Sequence, residues 1–180
     1  MLLFLGYYLR YKFLGMPMPD LHHIIFQKLF IGKSLDTISK HVKCFLDESL
    51  DDMLYLPASK RFELAKQRGD YIVLLSSSPQ FLVAPIAARF EFDEWASTNY
   101  SVNQNSCFST ISHLMLGHDK ALYVTELATR LGIPKERITA YTDSALDLPL
   151  LQVVGNPVAV SPDRKLRKLC RKNKWQILGD

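Results

Sequence analysis

Two carboxylates four residues apart, Asp143 and Asp147, follow the apolar run Ile138–Thr142 in the string Tyr141-Thr-Asp143-Ser-Ala-Leu-Asp147-Leu-Pro-Leu-Leu151. Oxygen ligands so spaced suit a small hard cation such as Mg²⁺. A second polar cluster, Ser76-Ser77-Ser78-Pro79, closes the apolar run Tyr71–Leu75, and a third, Leu116-Gly-His118-Asp119-Lys120, opens a helical stretch. Serine hydroxyls and the free N–H groups of a helix N-terminus can hold the oxygens of an anion, and a lysine ammonium can neutralise its charge. Ser76, Ser77, Lys120 and Asp143 with Asp147 thus describe an anion site beside a metal site.

Such side chains must be presented by elements that end near one another. From residue 1 to about 60 the pattern is helical: a first helix to about Leu14, a break at Gly15-Met-Pro17-Met-Pro19, then stretches around Leu21–Phe30, Leu35–Phe45 and Asp51–Leu54. Beyond it a helix Ala58–Arg68 leads into a strand Tyr71–Leu75. A helix Gln80–Arg89, short strands with turns over Trp95–Ile111, and a helix Ala121–Leu131 come next. The remaining elements are a strand Ile138–Thr142, a helix Leu148–Val154, a strand Pro157–Val160 and a basic helix. Strands alternating with helices predict right-handed crossovers and a parallel α/β sheet, with its ligand at the carboxyl ends of the strands. Residues 1–60 read as a helical cap region and 61–180 as the core.

The 180 residues carry a formal net charge of +4, concentrated between Arg164 and Lys174. A surface helix burying Leu166, Leu169 and Cys170 accounts for that run; an anionic membrane surface is the subordinate reading, and no nucleic acid is expected. The N-terminal Met1–Gly15 is apolar, but Arg10 and Lys12 interrupt it short of the roughly 20 residues of a membrane span, and it lacks the cleavage pattern of a leader. Cys44, Cys107 and Cys170 form no Cys-x-x-Cys pair, which fits a reducing cytoplasm. Neither His22-His23 nor His113, His118 and Cys107 has the spacing of a common zinc site.

The C-terminal strings Asp143-Ser-x-x-Asp147-Leu-Pro-Leu-Leu, Gly155-Asn-Pro-Val-Ala-Val-Ser-Pro-Asp163-Arg and Trp175-Gln-Ile-Leu resemble the phosphoserine-phosphatase-like branch (subfamily IB) of the haloacid dehalogenase superfamily. Val73-Leu-Leu-Ser76-Ser-Ser-Pro79 resembles that branch's second motif and Gly117-His-Asp-Lys120 its third, whose Leu-Gly-His-acidic-Lys form is also similar to bacterial phosphatidylglycerophosphate phosphatases. The resemblance covers roughly residues 70 to 178 and implies a Rossmann-like core under a helical cap, with Mg²⁺ as cofactor. It implies hydrolysis of a small phosphorylated substrate through an aspartyl-phosphate. Ser76 would then bond a phosphoryl oxygen, Lys120 neutralise phosphate and nucleophile, Asp143 bind Mg²⁺, and Asp147 orient Lys120 or a metal-bound water. The aromatic residues Phe4, Tyr7, Tyr8, Tyr11 and Phe13 would tolerate a substrate with an apolar portion, or simply pack the cap.

The same resemblance implies a first core strand ending Asp-x-Asp-x-Thr, and no such string occurs in these 180 residues. Asp47, after Phe45-Leu46, is the nearest look-alike but has no Asp two positions on. The expectation is therefore a core without its first strand, inactive as it stands and belonging to a longer phosphatase. The alternative is a non-catalytic protein that binds phosphate or a partner through the retained residues.

Overall fold

The computed structural model describes residues 17–179, so the helix expected up to Leu14 lies outside the described residues. Pro17 precedes the first helix, α1 (Met18–Ile25), which loosens into a π-turn over Phe26–Phe30. The helix α2 (Leu35–Ser49) starts where the Ser34 hydroxyl accepts the Thr37 N–H at 3.4 Å, and it ends in a 3₁₀ turn, Asp51–Met53, where a helical stretch was expected. The helix α3 (Leu56–Arg68) stops at Gly69, whose φ of 70° places it in the left-handed region that glycine enters without strain.

Among the described residues six strands form two separate three-stranded sheets. β1 (Val73–Pro79) pairs in parallel with β2 (Glu94–Val102), which pairs antiparallel with β3 (Phe108–His113). In the second sheet β4 (Thr139–Thr142), β5 (Asn156–Val160) and β6 (Gln176–Leu178) are all parallel. Helix α4 (Gln80–Phe90) connects β1 to β2, α5 (Gly117–Leu131) connects β3 to β4, α6 (Leu148–Val153) connects β4 to β5, and α7 (Arg164–Asn173) connects β5 to β6. The expected α/β architecture with parallel pairing is present, with one addition: β2 continues into an antiparallel hairpin with β3.

β1 and β4 are each the end strand of their sheet, with one edge that no described strand occupies. Every residue of β1 is only part-buried, whereas β5, flanked on both sides, buries Val158 and Ala159. Among the described residues the sheets stand as two halves, β1-β2-β3 and β4-β5-β6. Helix α5 spans the two halves: Lys120 in its first turn bonds Asp147 beyond β4, while Tyr123 and Arg130 bond Glu94 at the start of β2.

Two cores anchor these parts. In one, Leu151, Ala159, Leu166 and Cys170 pack with Ala140, Trp175 and Ile177 between α6, α7 and the second sheet. In the other, Phe26, Tyr100 and Phe108 meet edge to face, with Phe30 and Phe81 against them, joining the N-terminal helices to the hairpin and α4. Backbone bonds reinforce that junction: Gly32 N–H donates to the Phe108 carbonyl at 2.8 Å, Phe108 N–H to Lys33 at 2.9 Å, and Leu35 N–H to Ser106 at 2.9 Å. Arg89 of α4 adds two 2.9 Å contacts to Asp51.

Candidate functional site

Lys120 is 6% exposed, and an ammonium buried to that degree must be paired. Its Nζ lies 2.8 and 2.9 Å from the two Asp147 carboxylate oxygens. The Thr142 hydroxyl donates to the same carboxylate at 2.8 Å and accepts the Ser144 N–H at 3.2 Å. Asp147 is thus held from two directions, by the Lys120 ammonium and the Thr142 hydroxyl, and the buried charge of Lys120 is compensated by a charge-assisted pair.

The close approach that makes this pair depends on Gly117. A Cβ there would come 2.0 Å from the Leu146 carbonyl oxygen and 3.2 Å from Pro149 Cδ, so only glycine lets the start of α5 meet the loop after β4. The helix begins at Gly117 and not at Ala121 as expected, which places Lys120 within its first turn; the Asp119 carboxylate accepts the Leu116 N–H at 3.1 Å and fixes that start.

Asp143, one residue past β4, is exposed and its carboxylate has no hydrogen-bond or ion partner among the described residues. Its backbone is nevertheless fixed, because its carbonyl accepts the Asp163 N–H at 2.9 Å. Asp163 in turn caps α7 by accepting the Leu166 N–H at 2.7 Å and also accepts the Ala145 N–H at 2.9 Å. One acidic residue thus ties the loop bearing Asp143 to the last crossover helix. Among the described residues no three His, Cys, Asp or Glu side chains gather as a metal cluster; the Asp143 carboxylate stands alone, and the Asp147 carboxylate is engaged by Lys120 and Thr142.

Ser76 and Ser77 lie within β1, which runs on to Pro79 and does not end at Leu75 as expected. The continuation has a visible cause: the Thr98 hydroxyl donates to the Ser77 carbonyl at 2.7 Å, holding the chain against β2 across a register shift. The Ser76 hydroxyl accepts the Ser78 N–H at 3.1 Å, shaping the turn into α4, whose first N–H groups face the end of β1. Gln80 completes that turn by bonding both backbone groups of Tyr100, at 2.7 and 2.8 Å.

Lys120 and Asp147 are therefore in direct contact, whereas Ser76 reaches them only through a chain of intermediates. Thr98, fully buried, accepts the Met115 N–H at 3.1 Å while holding Ser77, and so ties the end of β1 to the loop that leads into Lys120. Thr98 lies outside the motifs, and Thr142, Gly117 and Asp163 stand inside them without a role assigned from sequence, yet all four build the site. Only Asp163, as a helix cap before an amphipathic stretch, carried a recognisable signal.

The remaining sequence candidates lie apart. Asp47 is on the exposed side of α2 in a 2.6 Å pair with Lys43. His113 and His118 are exposed, and Cys107 is a free, part-buried thiol. His22 is held below its ordinary pKa by burial and by the neighbouring His23.

Residues 5–152 match the family model of the haloacid dehalogenase-like hydrolases. The "Inhibition of morphological differentiation protein" of Streptomyces azureus is 32% identical over 148 residues, 82% of this chain and 53% of that one. A phosphoserine phosphatase of Mycobacterium tuberculosis is 33% identical over 132 residues, 73% of this chain and 43% of its own. A crystal structure of a Bordetella pertussis protein of unknown function superposes with a TM-score of 0.82 at 20% identity, covering 97% of this chain and 79% of that one, and shows the same fold. The chain spans about half the length of the curated relatives it matches. A buried lysine–aspartate pair and a free aspartate at the carboxyl end of a parallel strand, together with these matches, establish that the chain belongs to the haloacid dehalogenase-like hydrolases, in their phosphoserine-phosphatase-like branch.

Proposed function

We propose that these residues form the phosphate-holding half of a Mg²⁺-dependent phosphomonoesterase. The observation that carries this reading is the buried Lys120–Asp147–Thr142 cluster just past β4, in the same loop as the unpartnered Asp143 carboxylate. Bound Mg²⁺ would neutralise phosphoryl charge, with Asp143 as one of its ligands and phosphate oxygens and water among the others. Ser76 and Ser77, with the start of α4, would bond the remaining phosphoryl oxygens. The cap is assigned to residues up to about 60 and the core to the rest. Apolar side chains in the cap support a substrate with an apolar portion, and the free thiols Cys44, Cys107 and Cys170 support a reducing, cytoplasmic setting.

Covalent catalysis in this reading needs a carboxylate in line with the phosphorus. The described residues place none there, and the unoccupied edges of β1 and β4 are where an extended segment would deliver it. The test is phosphate release from an aryl phosphate, with and without Mg²⁺, by this chain alone and by a form extended with a strand ending Asp-x-Asp-x-Thr. The extended form should turn over with Mg²⁺ and lose most of that activity in Lys120→Ala or Asp143→Asn, while Ser76→Ala costs less. Robust Mg²⁺-dependent turnover by the chain alone, abolished by Asp47→Asn, would make Asp47 the nucleophile and overturn the assignment.

A second reading, a module that binds phosphate without hydrolysing it, draws on the same lack of a placed carboxylate. It would be favoured if the extended form bound phosphate as tightly as an active phosphatase yet released none.

A further inference from the structure

Residues 164–174 hold seven of the chain's 22 lysines and arginines and none of its 18 acids, so the other residues together carry a net charge of −3. Arg164, Lys165, Lys168, Arg171, Lys172 and Lys174 are all exposed, and none has an ion partner among the described residues. Arg164 and Lys165 stand in the first turn of α7, the end of a helix where positive charge is unfavourable. A helix shaped by stability alone would carry acids there.

A second feature lies beside that turn. The stretch from the end of the 3₁₀ turn to the start of α3 exposes Met53 (64%), Leu54 (40%), Tyr55 (41%) and Leu56 (63%), while the Tyr55 hydroxyl end comes up against Gly179, which also adjoins the Ser161 side chain. Ser161 is three residues before Arg164, so Tyr55 ties this largely aliphatic loop to the segment that leads into the basic turn. Its own acids are Asp51, held by Arg89, and Asp52, which is free.

We propose that this junction, the Met53–Leu56 loop with the basic side chains that open α7, docks on an anionic lipid bilayer. Cations attract the headgroups and aliphatic side chains enter the interface, the combination by which peripheral helices hold a membrane. What favours a bilayer over a nucleic acid is the exposed aliphatic trio Met53, Leu54 and Leu56, apolar surface that an acyl boundary takes up and a phosphate backbone does not; Tyr55, 41% exposed, is the one aromatic ring of the loop. No described helix is long and apolar enough to cross a membrane, so contact would be at the surface. The surface borders the loop that holds Asp143, since Asp163 bonds both Asp143 and the first turn of α7.

The experiment is co-sedimentation of the chain with neutral phosphatidylcholine vesicles and with vesicles rich in phosphatidylglycerol, at low and high salt, which needs no enzymatic activity. Binding should require phosphatidylglycerol and weaken with salt. Lys165→Gln with Lys168→Gln should weaken it roughly 25-fold, at about fivefold per cation. Met53→Ser with Leu56→Ser should leave the salt dependence but lower affinity. Lys28→Gln, the loss of one charge at an exposed position outside the junction, should change little, where Lys165→Gln alone should weaken binding about fivefold. All these positions are solvent-facing, and circular dichroism checks the fold of each variant. Binding that ignores salt and lipid charge, equal weakening by Lys28→Gln, or binding to duplex DNA in place of vesicles would overturn the proposal. Loss of phosphatase activity in an extended form without loss of vesicle binding would leave it standing and bear only on the catalytic reading.

Discussion

At the scale of single residues, the site is a problem of keeping one buried ammonium satisfied. Asp147→Asn removes the charge opposite Lys120 and leaves that group buried without compensation, so stability should fall by about 3–5 kcal/mol in urea unfolding. Thr142→Val removes one hydrogen bond to the carboxylate and should cost about 1–2 kcal/mol, with Thr142→Ser restoring most of it. The serine rescue separates hydrogen bonding from packing. Gly117→Ala is a different kind of change, because the added methyl collides with the Leu146 carbonyl and must push α5 away from the loop after β4. Phosphate affinity, read by calorimetry, should drop severalfold in Gly117→Ala even though no charged group is altered.

At the scale of elements, the end of α5 remote from Lys120 is fastened to the first sheet by Glu94, which accepts from the Tyr123, Tyr71 and Arg130 side chains. Those donors, Tyr123 first and then Arg130, hold the Glu94 carboxyl at about 2, below the usual carboxylate range. A depressed folded-state pKa adds stability that is complete above the unfolded value and lost as pH falls towards 2. Acid titration followed by circular dichroism should therefore show a stability loss between about pH 4.5 and 2 that is blunted in Glu94→Gln, which should also be less stable than the parent at neutral pH. Several of these elements could be read from the sequence, since apolar runs bounded by Ser-Pro, Gly-Ile-Pro and Gly-Asn mark β1, β4 and β5. The hairpin was only half legible: Trp95–Ile111 is rich in Ser, Thr and Asn on both faces, so its alternation says strand without saying which partner. Thr98 and Thr142 were invisible for a related reason, because a threonine inside a strand looks like a β-former whether or not its hydroxyl organises a site. The overshoot of β1 through Ser77 also depends on Thr98, a contact 21 residues away that no local pattern reports.

At the scale of the molecule, the candidate site and the N-terminal helices sit on different supports. Lys120, Thr142, Asp143, Asp147 and Asp163 all lie within residues 120–163, around the second sheet, whereas the N-terminal helices are fixed to the hairpin and α4 by the aromatic core and three backbone bonds. The N-terminal helices and the hairpin should then move as one body, because breaking their junction exposes Phe26, Tyr100 and Phe108 together. Motif reading found the first group well, since charged residues after apolar strands stand out. It could not find the junction, whose partners are some 70 residues apart and individually ordinary.

The unoccupied edges of β1 and β4 have a kinetic signature. Successive amides of a parallel strand point to alternate sides, so half of those in β1 and β4 are locked to β2 or β5 and half have no described strand opposite. In deuterium exchange resolved by NMR, the chain alone should show slow and fast amides alternating along Val73–Leu75 and Thr139–Thr142, while β5, bonded on both sides, exchanges slowly throughout. Adding a peptide that pairs with either edge should convert the fast half of that strand to slow and leave the other half unchanged, a readout with single-residue resolution of which edge accepts a strand, and in which direction.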